Sequence, residues 1–306
     1  MPGAGGGIVS MLLTYPLITV SSRLQVERKK AVEGEKGLKV DAIKKIVEKE
    51  GVRGLFAGVE SAVFGNAITN GVYYFFFESI KGSFQKASNR KSMTTGQSML
   101  AGAIAGAAVV LTTNPIWVIN MRQTTRKNSV DEEAVGPDGV KVTASPRSPP
   151  SFIQMLTQIV KQDGIGALWQ GTLPALILVI NPIIQYTVFE RLKARLQRLG
   201  GGRALGNLDF FLLGAISKLV ATAITYPYIV IKSRMQLRQS QSDESQRYHS
   251  VLDGLRKIIK YEGVEGLYKG IEFKLVQSVL TSAFLFMAKE QFYQYAVILL
   301  ALVRKR

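Results

Sequence analysis

Apolar residues gather in long runs along this chain, and three of the runs, Ser98 to Ile119, Leu173 to Phe189 and Phe210 to Ile231, are nearly free of charge. Each approaches the roughly 20 residues that an α-helix needs to cross a bilayer. Shorter segments lie between such runs. In Asp41 to Lys49, Phe152 to Lys161 and Val251 to Lys260, apolar residues recur at three- and four-residue spacing with lysines opposite. That period describes an amphipathic helix suited to the membrane–water interface. The pattern predicts six transmembrane helices, at residues 2–25, 60–82, 96–123, 172–195, 208–236 and 272–294, alternating with three interfacial helices.

The punctuation of these runs repeats three times, which predicts three copies of one two-helix unit that bury their faces against one another. Pro16, Pro115 and Pro227 each sit late in an apolar helix, an arginine follows seven residues later (Arg23, Arg122, Arg234), and a glycine precedes by thirteen (Gly3, Gly102, Gly214). The second half of each unit carries an acidic-Gly string ending in aromatic-x-Gly: Glu50-Gly51 to Phe56-Ala57-Gly58, Asp163-Gly164 to Trp169-Gln170-Gly171, and Glu262-Gly263 to Tyr268-Lys269-Gly270. A further apolar helix then ends in Phe77-Glu78, Phe189-Glu190 and Lys289-Glu290. The expected repeats are residues 1–95, 96–203 and 204–306. Residues 126–150, rich in Ser, Pro and acidic residues and without period, read as a flexible insertion that carries no chemistry. The tail Ala296 to Val303 is too short to span and is expected at the interface. No cleavable leader is expected, and the first helix is short against its counterparts, as if residues were missing ahead of it.

Charge narrows the class. Lys and Arg number 39 against 22 acidic residues, a net charge of +17, which fits either nucleic-acid binding or a membrane protein with anionic cargo. The basic clusters fall in connectors, Arg28 to Lys30, Arg191 to Arg203 and Arg304 to Arg306, where they meet anionic headgroups, so membrane lipid is the expected partner and nucleic acid is not. The absence of cysteine excludes disulfides and thiolate chemistry, and the single His249 has no companions for a metal site. Nothing in Gly5 to Gly7 reads as a phosphate loop, and no catalytic triad is present, so no enzyme activity, cofactor or metal is expected.

The repeated proline, linker and aromatic-acidic signatures resemble the mitochondrial carrier family over essentially the whole chain. Thr113-Asn114-Pro115-Ile116-Trp117-Val118-Ile119-Asn120, Asn181-Pro182-Ile183-Ile184-Gln185 and the run from Thr225 to Arg234 resemble its peroxisomal branch. The resemblance implies an all-α membrane protein, six transmembrane helices with threefold pseudosymmetry around a central cavity, acting as a monomer. It also implies cargo of adenine nucleotide, coenzyme A or NAD type, in the peroxisomal membrane, with the mitochondrial inner membrane as the alternative.

Alternating access needs hinges, gates and a polar site. Pro16, Pro115 and Pro227 are the expected hinges, because proline removes a backbone hydrogen bond inside a helix. Gly3, Gly7, Gly102, Gly106 and Gly214 are expected to let helices approach closely. The family pattern implies a gate pairing Glu78, Glu190 and Glu290 with Lys81, Lys193 and a third base from neighbouring repeats, the third position being Tyr293. On the proline side the positions where the family pattern implies acids hold Ile18, Trp117 and Ile229 and those where it implies bases hold Ser21, Asn120 and Lys232, so closure there is expected by apolar packing, braced by hydrogen bonds from Gln25 and Gln236 with Thr124 in the third place. For the central site, polar residues at helical spacing form three faces: Asn66, Asn70 and Tyr73; Asn181 and Gln185; Lys274, Gln277, Ser278 and Thr281. Lys218 stands nine residues before Pro227, where the other repeats have Gly7 and Gly106, and pairs with Lys274 as an expected contact for phosphate oxygens. Exchange of ATP, ADP and AMP is the first reading, with coenzyme A, NAD or flavin nucleotides as alternatives and a non-transporting membrane adaptor behind them.

Overall fold

The computed structural model describes residues 2–27, 40–88, 92–126, 134–135, 141–142, 150–199, 205–237 and 248–284. Expectations for Glu290, Tyr293, the end of the sixth helix and the apolar tail lie outside these residues. Each repeat begins with a long helix that continues through its proline: α1 (Pro2–Val26), α4 (Thr95–Thr125) and α8 (Asn207–Gln236). A surface helix follows, α2 (Val40–Glu50), α5 (Phe152–Asp163) and α9 (Val251–Glu262), and then a 3₁₀ turn through the linker string. The second long helix is α3 (Val59–Ser88) in repeat 1 and α10, helical from 271 to 284, in repeat 3. Residues 126–150 are described only in part, and there Ala134–Val135 pairs antiparallel with Lys141–Val142.

Among the described residues four stretches are long and apolar enough to cross a membrane: Gly7–Val26, Thr95–Thr125, Ile165–Leu199 and Leu208–Gln236. Their lipid-facing surface is marked by exposed Leu13, Leu111 and Ile224. The fourth transmembrane helix is not the continuous element expected over 172–195. It consists of α6 (Thr172–Ile177), a 3₁₀ turn at Leu178–Ile180 and α7 (Asn181–Leu199). Pro182 has no N–H to return to Leu178, and the Asn181 N–H instead closes the shorter turn onto that carbonyl.

Burial is concentrated at the proline end, once per repeat. Val20 and Leu24 of α1 pack on Ile46 and Leu55, joined by Phe273 of α10; Val118 and Ile119 of α4 on Met155, Ile159 and Leu168; Tyr226, Val230 and Ile231 of α8 on Val251, Ile258 and Leu267. Each cluster locks one odd helix to its own surface helix and linker. Neighbouring repeats meet at the second linker glycines. Gly58, Gly171 and Gly270 have φ of 78°, 76° and 78°, a region open to glycine, and a Cβ on them would lie 2.8 Å from Thr124 Oγ1, 2.9 Å from Gln236 Cγ and 2.9 Å from the Ser21 carbonyl oxygen. The expected close-packing glycines behave unequally: Gly106 backs onto Val179 and Gly102 onto the Tyr73 hydroxyl, whereas nothing lies within 4 Å of a Cβ built on Gly7 or Gly214.

A methyl group at Gly270 meets both a left-handed backbone and an immovable carbonyl. Gly270→Ala is expected to lower stability by about 1–3 kcal/mol, read as an earlier thermal unfolding of the purified protein. Gly214→Ala, in open space inside a helix, is the matched control and should not destabilise; equal behaviour of the two would remove the contact's importance.

Candidate functional site

The arginines that follow the prolines and the acids that open the linker strings meet in space. Arg23 donates to Glu50 with Nη1 at 2.5 Å and Nη2 at 2.9 Å, Arg234 grips Glu262 with both nitrogens, and Arg122 reaches Asp163 Oδ2 at 2.5 Å. Each guanidinium also spends its Nε on the next repeat: Arg23 on the Thr124 carbonyl at 3.0 Å, Arg122 on the Gln236 carbonyl at 3.2 Å, Arg234 on the Gln25 carbonyl at 2.9 Å. The three bonds run head to tail and close a ring. Residues before the prolines tie in the linkers, since the Tyr15 and Tyr226 hydroxyls donate to the Ala57 and Lys269 carbonyls and Asn114 Nδ2 donates to those of Leu168 and Gln170. In repeat 2 the indole of Trp169 donates to the Leu111 carbonyl at 3.0 Å, the acceptor that Pro115 leaves without its helical partner.

This end is therefore held by hydrogen bonds and ion pairs in addition to apolar packing. Ile18 packs beside Met11, Tyr15 and Ala62, Ile229 lies against the α8–α9 cluster, and Trp117 donates its indole N–H to Thr69 Oγ1. Both glutamines make hydrogen bonds here: Gln25 donates to Ser21 Oγ and the Tyr226 hydroxyl and accepts from Ser233, while Gln236 reaches Asn114 at 3.5 Å. The individual motifs had been visible in the sequence; their pairing was missed, although both recur at fixed offsets from the prolines.

Deeper in the bundle the predicted contacts divide into groups. Lys218 Nζ approaches Asn181 Oδ1 at 3.4 Å, and Asn181 Nδ2 donates to Thr225 Oγ1 at 2.7 Å, so one amide joins lysine, threonine and the start of α7. Lys274 lies within electrostatic reach of Lys218. Gln277 donates to Thr281 Oγ1, which meets Thr14 Oγ1 at 2.9 Å, leaving Gln277 Oε1 buried without a partner. Ser278 bonds only the Lys274 carbonyl in its own helix, and Asn70 likewise returns to the Asn66 carbonyl. Asn66 points at Met11 Sδ, Tyr73 stacks on Phe77 at 5.7 Å, and Gln185 is half-buried. Thr14 and Thr225, each two residues before a proline, were not among the predicted contacts; their recurrence in the proline motif was the signal.

Comparison with known proteins settles the kind of molecule. The sequence model of mitochondrial carrier proteins matches residues 1–88, 91–200 and 204–298. The chain belongs to the mitochondrial carrier family. It is 37% identical to the peroxisomal nicotinamide adenine dinucleotide carrier of Arabidopsis thaliana, covering 98% of this chain and 96% of that protein. It is 36% identical to the peroxisomal membrane protein PMP47B of Candida boidinii (94% and 84% covered) and 33% identical to PMP34 of Mus musculus (94% and 90%). The carrier is a transporter of small molecules and not an enzyme.

At the far end of the carrier the expected pairs are made differently. Lys81 bonds Glu78 at 2.9 Å and Lys193 lies 3.9 Å from Glu190, each within its own helix, not across to a neighbouring repeat. The proline end is clasped while these exposed helix ends are not joined to one another by a charge pair among the described residues. Glu262 shows how firmly the clasp holds. Burial pushes its carboxyl up, but hydrogen bonds from Arg234 and Lys269 outweigh this and keep it below the usual carboxylate range. A lowered carboxyl contributes its stability in full above the unfolded value of about 4.3 and loses it only as pH falls through the folded one.

Repeat 2 has the weakest clasp. Aspartate is one methylene shorter than glutamate, and Arg122 Nη2 is left buried without a hydrogen bond, whereas both Nη atoms of Arg23 and Arg234 are engaged. Asp163→Glu should supply the second bond and raise the thermal midpoint, by the equivalent of about 1–2 kcal/mol. An unchanged or lower midpoint would show that Asp163 is already optimal. On acidification from pH 7, Glu262→Gln should begin less stable and lose less than the parent below pH of about 4, in accord with the lowered carboxyl.

Proposed function

We propose that this carrier exchanges adenine-containing nucleotides across the peroxisomal membrane by alternating access, as a single chain. The observation that carries the reading is the pair Lys218 and Lys274, half-buried inside membrane-spanning helices with no carboxylate in salt-bridge reach among the described residues. Ionised side chains at such depth are costly unless they face a water-filled path or a charged partner. A phosphate is the partner that suits both, and the amides of Asn181, Gln185 and Gln277 with Tyr73 offer hydrogen bonds and a stacking face to a base. Pro16, Pro115 and Pro227 act as the hinges, and Glu78, Lys81, Glu190 and Lys193, with Glu290 outside the described residues, act as the gate that forms when the proline end opens. A second reading, NAD as main cargo, is favoured by the name of the Arabidopsis relative. The peroxisomal placement rests on the names of the same relatives.

A liposome exchange screen over ATP, ADP, AMP, NAD, coenzyme A and a flavin nucleotide decides among cargoes. Lys218→Met is expected to weaken nucleotide binding by about 1–3 kcal/mol, the scale of one charge-assisted hydrogen bond, with a larger loss for ATP than for AMP and partial retention in Lys218→Arg. The measurement is substrate-induced thermal stabilisation beside exchange, and wild-type behaviour of Lys218→Met toward both nucleotides would displace the central site. A carrier that exchanges nothing in the screen would be an adaptor.

A further inference from the structure

The three odd helices carry one stripe each at seven-residue spacing: Gly7, Thr14 and Ser21 on α1, Gly106, Thr113 and Asn120 on α4, Lys218, Thr225 and Lys232 on α8. Seven residues are nearly two helical turns, so each set lies along one face. Repeats 1 and 2 end that face in a docked polar side chain, Ser21 donating to the Gly270 carbonyl at 3.1 Å and Asn120 to that of Gly58 at 2.9 Å. Repeat 3 ends it in Lys232, and there the docking contact is missing. The Lys232 backbone abuts Gly171, the equivalent linker glycine, but among the described residues its ammonium makes no hydrogen bond and no ion pair. Repeat 3 alone has charged both ends of the stripe.

We infer that Lys232 is a phosphate-binding residue for the cargo at the proline-end stage of transport, and that Lys218, Lys274 and Lys232 form a file along which a multiply charged phosphate or diphosphate is passed. Lys274 of α10 feels both Lys218 and Lys232 electrostatically. Lys218 and Lys232 are 14 residues apart on one face, roughly 21 Å along the helix axis. That is too far for one phosphate group to touch both, so the hand-over falls to Lys274, the lysine coupled to each. The positions where the family pattern implies neutralising acids hold Ile18, Trp117 and Ile229 instead. The acidic side chains nearby, Glu50, Asp163 and Glu262, are held by Arg23, Arg122 and Arg234. The missing negative charge is then brought by the cargo itself, which makes passage through this end depend on how many charges the cargo carries.

The proposal rests on the nucleotide reading above, and the test separates the two. Full-length wild type, Lys232→Gln and Lys232→Arg are compared in liposome exchange of ADP and of AMP, and in thermal stabilisation by inorganic pyrophosphate. Lys232→Gln should lose ADP exchange by roughly tenfold, the scale of one charge-assisted hydrogen bond, with a clearly smaller loss for AMP, and Lys232→Arg should recover most of it. Pyrophosphate stabilisation should shrink in Lys232→Gln while the ligand-free midpoint stays close to wild type. An equal loss for ADP and AMP with unchanged pyrophosphate stabilisation marks a structural lysine and overturns the file, as does wild-type behaviour in all assays, and either result leaves nucleotide exchange standing. If wild type exchanges no nucleotide but its pyrophosphate stabilisation falls in Lys232→Gln, the cargo reading fails and the file survives as a diphosphate site. Absence of both in wild type overturns both.

Discussion

A guanidinium has five N–H donors in a rigid fork and no acceptor, so an arginine buried at the end of a transmembrane helix must find several oxygens at once. Arg23, Arg122 and Arg234 meet that demand in two directions, toward the acid of their own linker and toward a carbonyl of the next repeat. The first bond folds each repeat; the second joins the three. Because the accepting carbonyls lie at the last turn of each odd helix, where helical partners have run out, the ring uses oxygens that the helices themselves leave over. Packing follows from this. The positive-φ glycines bring the linkers close enough for the fork to reach, and the apolar clusters fill the space behind them.

Pseudosymmetry is informative where it fails. Equivalent positions share a scaffold, so a different side chain there alters chemistry and leaves the backbone in place. Asp163 for Glu50 and Glu262 loosens one clasp, Thr124 for Gln25 and Gln236 removes one amide, and Lys218 and Lys232 charge one stripe of three. The first two weaken the joints that repeat 2 makes. The lysines concentrate positive charge on repeat 3. Cargo that is itself asymmetric, with phosphates at one end and a base at the other, matches such a division better than three equal walls would.

Periodicity and punctuation made the helices, the linkers and the repeat count legible, because each rests on local chemistry: apolar length, proline, and glycine at fixed offsets. The break at Leu178–Ile180 was less legible, although Pro182 was in view, since an apolar run looks the same whether or not a rung is missing. Arg–acid pairing escaped because the partners are 27, 41 and 28 residues apart, the middle interval being stretched by the insertion. Among central residues, the sequence could say which were polar and aligned but not which would turn back onto their own helix. Asn70, Ser278 and Gln277 did so, while Asn181 and Thr281 crossed to a neighbour.

The broken fourth helix places Asn181 at a joint. Above it α6 is fixed to the linker and below it α7 carries Glu190, and the Asn181 N–H ties the junction by the shorter 3₁₀ bond to Leu178. A side chain at a joint works as a short lever. Whatever pulls on the Asn181 amide, whether Lys218 or Thr225, acts where the helix has already given up a rung, so a small displacement in the middle of the bundle becomes a larger swing at the end of α7.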